Sequence, residues 1–88
     1  MKYFLFSYPN CMRCEELRKY LLETSIEGEE YSLNLKEAKL KIREFLGLIK
    51  RDSQGAIIIP TLVLEERGEA VAVLNNPKEL EDWLKSKA

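Results

Sequence analysis

Histidine is absent from this chain of 88 residues. Its absence excludes Ser-His-Asp and Cys-His nucleophile schemes and any zinc site built with imidazole, and it removes the commonest general base. Cysteine occurs only 2 times, at Cys11 and Cys14. A small secreted disulfide scaffold usually carries about four or more. Charge of one sign is also lacking: 14 basic against 15 acidic residues leave a net charge of −1. No basic surplus points to nucleic acid, and no acidic block points to a solvating tail. Long apolar runs are missing too. The run Tyr3-Phe4-Leu5-Phe6 is cut off by Ser7, too short for a signal segment or a membrane span. The expectation is a single domain over residues 1–88, cytosolic and monomeric, with no nucleic-acid or membrane partner.

What is present alternates between strand and helix signals. Lys2 to Ser7 is aromatic and apolar without alternation, as in a central strand buried on both faces. Pro9 and Asn10 break it. From Cys11 to about Leu22 the positions Cys14, Leu17 and Leu21 keep helical spacing, with Asn10 as the expected N-cap. After Gly28, "EEYSLN" alternates and suggests a shorter, more exposed strand. Asn34 and Glu37 resemble a capping box for a second helix. Its apolar stripe of Leu35, Ala38, Ile42, Phe45, Leu46 and Ile49 predicts an end near Lys50-Arg51. "AIIIPTLVLE" and "AVAVL", joined by "ERGE", predict a hairpin. Asn76-Pro77 with Glu79 starts a last helix whose buried face carries Leu80, Trp83 and Leu84. The order is strand, helix, strand, helix, strand, strand, helix. It predicts an α/β chain with a four-stranded mixed sheet and helices on both faces. Right-handed crossovers predict that the first three strands are parallel.

The helix start gives the cysteine pair its chemistry. First-turn N–H groups lack intrahelical partners and carry partial positive charge, which stabilises a thiolate at Cys11. Arg13 adds a cation, while Glu15 and Glu16 are expected to point away from the face of Cys11. Cys14, one turn deeper on the apolar stripe, is expected to be buried. Cys11 therefore suits attack on a disulfide, and Cys14 suits resolution of the mixed disulfide. Residues at i and i+3 stand about 5–6 Å apart between Cβ atoms. A relaxed disulfide wants about 3.5–4.5 Å, so a small adjustment closes the ring. Two other readings stay open at this point: a metal or iron–sulfur site completed by other groups, and two inert thiols. Pro60 supplies a second signal. It cannot donate to a ladder, so it fits the opening of the third strand after an extended bend; a cis Ile59–Pro60 bond is one such bend, and a trans proline at a strand start is the commoner arrangement.

"FSYPNCMRC" followed by a helix, with "IIIPT" opening the third strand, resembles the glutaredoxins of the thioredoxin superfamily over nearly the whole chain. The resemblance implies a thioredoxin-like fold and a thiol–disulfide oxidoreductase with Cys11 as nucleophile and Cys14 as resolver. It also implies a cis Pro60 beside the pair and the backbone of Ile59 as a docking edge for substrate. Tyr8, Met12, Arg13, Asn75 and Asn76 complete the candidate substrate-binding set. No bound cofactor or metal is expected. The partners are a protein or low-molecular-weight disulfide, with glutathione or a thioredoxin reductase as electron donor. The sequence departs from the family pattern in three places. Tyr8 stands where a lysine is common, Met12-Arg13 replaces Pro-Tyr, and Asn75-Asn76-Pro77 replaces the Gly-Gly and Asp that grip glutathione. An alternative from another class is a redox-sensing or metal-carrying binding module that uses the same dithiol without turnover.

Overall fold

Lys2–Ser7 forms the first strand, β1, and its residues Phe4 to Ser7 are all buried. The computed structural model describes residues 1–87. Helix α1 (Met12–Glu23) carries the chain back to β2 (Glu27–Ser32), which lies parallel to β1. Helix α2 (Lys36–Ile42) runs into a 3₁₀ turn at Arg43–Phe45. After a long connection come β3 (Thr61–Glu66), β4 (Glu69–Leu74) and helix α3 (Pro77–Lys87). The sheet order is β2-β1-β3-β4. Among the described residues no helix is long and apolar enough to cross a membrane.

Alternation along the central strands divides the core into two. Phe4, Phe6 and Val63 point to one face, where Leu33, Ala38, Ile42, Phe45 and Ile49 cover them. Leu5, Leu62 and Leu64 point to the other, under Leu17 and Leu21 of α1 and Leu80 of α3. Trp83 and Leu84 pack at the margin of this second cluster. Burial of both faces explains why β1 and β3 read as continuous apolar runs.

One expectation about topology is corrected: β3 runs antiparallel to β1, with Phe6 opposite Thr61 and Lys2 opposite Glu65. The crossover rule applies to a single pass of chain between strands. Here the segment between Phe45 and Pro60 makes an additional reversal. Asp52 accepts through its carboxylate from the N–H groups of Gln54 and Ala56, Gly55 takes a positive φ of 84°, and Arg51 bridges Ile57 antiparallel. The reversal delivers the chain to the end of the sheet where β1 finishes. The result places Pro60 alongside the loop that follows Ser7.

Smaller differences have local causes. Gly28 lies within β2 instead of ending the connection, and a Cβ there would collide with the carbonyl oxygen and ring of Tyr3. Helix α2 begins after Leu35, which makes no side-chain cap, and Asn34 instead accepts from the Ser32 hydroxyl. Its regular part ends at Ile42; Phe45 and Ile49 stay buried through turns, while Leu35 and Leu46 face solvent. The β3–β4 turn has Arg67 and Gly68 both at positive φ (55° and 81°), the geometry that two-residue hairpins require.

Candidate active site

Asn10 adopts a positive φ of 58°, a conformation that asparagine tolerates better than most residues. The turn shifts the N-cap of α1 by one residue, from the expected Asn10 to Cys11. Cys11 Sγ itself accepts the backbone N–H of Cys14 at 3.1 Å. The sulfur thus occupies the position of a capping oxygen, facing the positive end of a helix of 12 residues. Cys11 and Cys14 are joined as a disulfide, with Cα atoms 5.2 Å apart. Cys11 is half-buried and Cys14 has 0 % of its surface exposed. Packing explains the difference, since Cys14 shares the buried stripe of α1 with Leu17 and Leu21.

The Ile59–Pro60 peptide bond is cis. Pro60 and Thr61 are buried, and the Thr61 hydroxyl donates to the carbonyl of Ile58 at 2.6 Å. A cleft of about 240 Å³ joins this segment to the cysteine helix and to the start of α3. Arg13, Glu16, Ile58, Ile59, Asn76 and Pro77 line it, together with Asn75. The structure therefore brings Arg13, Ile59, Asn75 and Asn76 to one surface. Tyr8 (47 % exposed) and Met12 (78 % exposed) project from the loop and first turn outside that lining. Glu16 also lines the cleft, one helical turn on from Arg13, although it is not among the residues the sequence marks as substrate-binding. The signal was available in their i,i+3 spacing. Ile58 and Pro77 also belong to the lining and carry no motif of their own.

The two asparagines are already engaged. Asn76 Oδ1 accepts the N–H of Glu79 at 2.8 Å and caps α3. Glu79 in return accepts the N–H of Asn75 at 2.7 Å and pairs with Lys50 at 3.2 Å. Asn75 Nδ2 donates to the carbonyls of Ile58 (3.3 Å) and Pro60 (2.9 Å). Among the described residues no group of three or more candidate ligands could hold a metal ion.

On the opposite flank Glu30 anchors the end of β1. Arg18 clasps its carboxylate through two bonds of 2.6 Å, and the buried Ser7 hydroxyl donates to it at 2.7 Å. Arg18 foremost, with Ser7 assisting against the cost of burial, holds the Glu30 carboxyl below its ordinary value of 4.5. A lowered native pKa means stability that is fully present above about pH 4.5 and lost as the pH falls through the native value. Glu30→Gln should therefore cost about 1 kcal/mol at neutral pH. The gap from the unaltered protein should close in acid, as denaturant midpoints recorded from pH 7 down to about pH 3 would show.

No protein-family model matches the chain, and no curated protein matches it either. Comparison in three dimensions does find similar structures. The chain is similar to mitochondrial thioredoxin 3 from Saccharomyces cerevisiae in its oxidised form. The TM-score is 0.67 at 17 % identity, covering 97 % of this chain and 76 % of that one. The chain has the thioredoxin fold. Within the thioredoxin fold its C-x-x-C pair stands at the start of the first helix, after the strand that ends at Ser7, and Arg13 inside the pair lines the cleft with Ile59.

Proposed function

We propose that the chain is a small dithiol thiol–disulfide oxidoreductase of the glutaredoxin-like kind, working in the cytosol on protein or low-molecular-weight disulfides. The asymmetry of the cysteine pair carries this reading: a half-buried cysteine at the helix N-cap, and a fully buried one a turn below it. In the reduced protein Cys11 is the thiolate, stabilised by the Cys14 N–H and the helix end. It attacks one sulfur of the substrate disulfide; the S–S bond breaks, and the departing thiolate takes a proton from water. Cys14, as its thiolate, then attacks Cys11 Sγ, expelling the second substrate thiol and closing the Cys11–Cys14 disulfide. An external dithiol, or two molecules of glutathione, returns both electrons. Met12 and Arg13 flank the reacting sulfur, and Tyr8 forms the loop edge that a substrate meets. The backbone of Ile59 pairs with the substrate chain ahead of Pro60.

Electron supply separates the two donors. Pro77 lines the cleft without an N–H to offer a carboxylate, and Asn76 is spent on capping, which weakens a glutathione grip of the usual kind. Turnover of one model disulfide should be faster with a thioredoxin reductase than with glutathione and its reductase. Absence of turnover with both, and with dithiothreitol, would overturn the oxidoreductase reading.

A further inference from the structure

We propose that Asn75 is a positioning residue, resting on the oxidoreductase reading above, which fixes the Ile59 backbone as the docking edge for a polypeptide disulfide. Three observations combine. Ile59 lines the cleft, and among the described residues neither its N–H nor its C=O is hydrogen-bonded within the chain. The carbonyls on either side of it, Ile58 and Pro60, are both drawn to Asn75 Nδ2, at 3.3 and 2.9 Å. Asn75 Oδ1 is buried with no partner of its own.

The last observation explains the orientation of the amide. Turning it over would satisfy no acceptor and would set Oδ1 against two carbonyl oxygens. The NH₂ group must therefore face the Ile58–Pro60 segment, and the oxygen bears the cost of being unpaired. The amide is itself held from behind. Its residue's N–H donates to Glu79, Glu79 pairs with Lys50, and the Lys50 carbonyl accepts the N–H of Ile58 at 3.3 Å. A closed ring of polar contacts thus runs from Ile58 through Lys50, Glu79 and Asn75 back to Ile58. Only Ile59, which lines the cleft, is left out of it, with both backbone groups unspent. Such an edge suits an extended peptide flanking a disulfide, which brings its own N–H and C=O. A small disulfide without a peptide backbone gains nothing from it.

The groups facing this amide include Glu79 and Lys50 behind it and Arg13 and Glu16 across the cleft. An aspartate at position 75 would add a carboxylate against the Ile58 and Pro60 carbonyls. Protonation gives that carboxyl one O–H to donate, so its function should return in acid.

The test uses the full chain with dithiothreitol as reductant and two substrates, a disulfide-linked peptide and 2-hydroxyethyl disulfide. Asn75→Ala should raise KM for the peptide by about tenfold, the effect of roughly 1.4 kcal/mol. Its kcat for the peptide should change far less, and its loss on the small disulfide should be several-fold smaller. Asn75→Asp, nearly isosteric and so a second route if the alanine variant folds poorly, should match that loss at pH 8. Its peptide activity relative to the unaltered protein should climb toward unity by about pH 5. Equal losses on the two substrates, an unchanged peptide KM, or an aspartate variant without acid recovery would each overturn the inference alone. An unaltered protein inactive on both substrates would instead remove the oxidoreductase reading beneath it.

Discussion

Cys11→Ser should abolish disulfide reduction, lowering the rate by about 10³-fold or more, as removal of an attacking nucleophile does. Serine keeps the size and the N-cap geometry, so the helix start survives and the loss is chemical. The serine hydroxyl does not ionise at working pH, and only the thiolate attacks sulfur. Cys14→Ser should behave differently. Cys11 remains accessible at the N-cap, so attack still occurs and one substrate thiol is released. The second step then fails, because the buried hydroxyl at position 14 cannot displace the mixed disulfide. Intact-mass measurement should find the Cys14→Ser protein carrying one substrate thiol, and the Cys11→Ser protein carrying none. Retained turnover in Cys11→Ser, with turnover abolished in Cys14→Ser, would reverse the assigned roles.

The local signals in this sequence were legible, and the long-range ones were not. Asn76, Pro77 and Glu79 announced α3 because a cap is a matter of adjacent residues, and the structure forms that cap as expected. The C-x-x-C pair at a helix start was legible for the same reason. Asn10 misled by one residue: in the left-handed region it turns the chain, and Cys11 takes the cap. The direction of β3 was hidden because it depends on a reversal between Phe45 and Pro60 that shows no hydrophobic period. That reversal matters to the site. With β3 parallel to β1, Pro60 would lie beside Lys2, at the far end of the sheet from Cys11; antiparallel pairing sets Thr61 against Phe6 instead. The sequence offers Asn75 as a candidate ligand contact, but its amide is spent on carbonyls 15 and 17 residues away, which no local pattern announces. The clasp of Glu30 by Arg18 and Ser7 was missed for the same reason.

Phe6→Ala should cause the largest loss of stability of any change discussed. The Phe6 side chain is 0 % exposed and stacks on Tyr31 at 5.6 Å, with Phe45 tilted against it at 6.2 Å. Its removal loses transfer free energy and leaves a void between the sheet and α2, a cost of about 3–5 kcal/mol. A domain of this size commonly has about 4–13 kcal/mol in total, so a large share of its stability would vanish. The urea midpoint should fall steeply with little change in slope. Tyr8→Ala, two residues further along but 47 % exposed, should shift stability by no more than about 0.5 kcal/mol. The contrast separates the end of β1 as scaffold from the loop as surface. It also bears on catalysis, because Phe6 pairs with Thr61, the residue after Pro60. A void under Phe6 should loosen the Pro60 side of the cleft while the cysteine helix, seated through its Leu17 and Leu21 on Leu5 and Leu62 of the opposite face, keeps its packing. Well below the unfolding temperature, the Phe6→Ala protein should therefore lose more activity on a disulfide peptide than on a small disulfide. Equal losses on both would mean that the two faces of the sheet are not independent supports for the site.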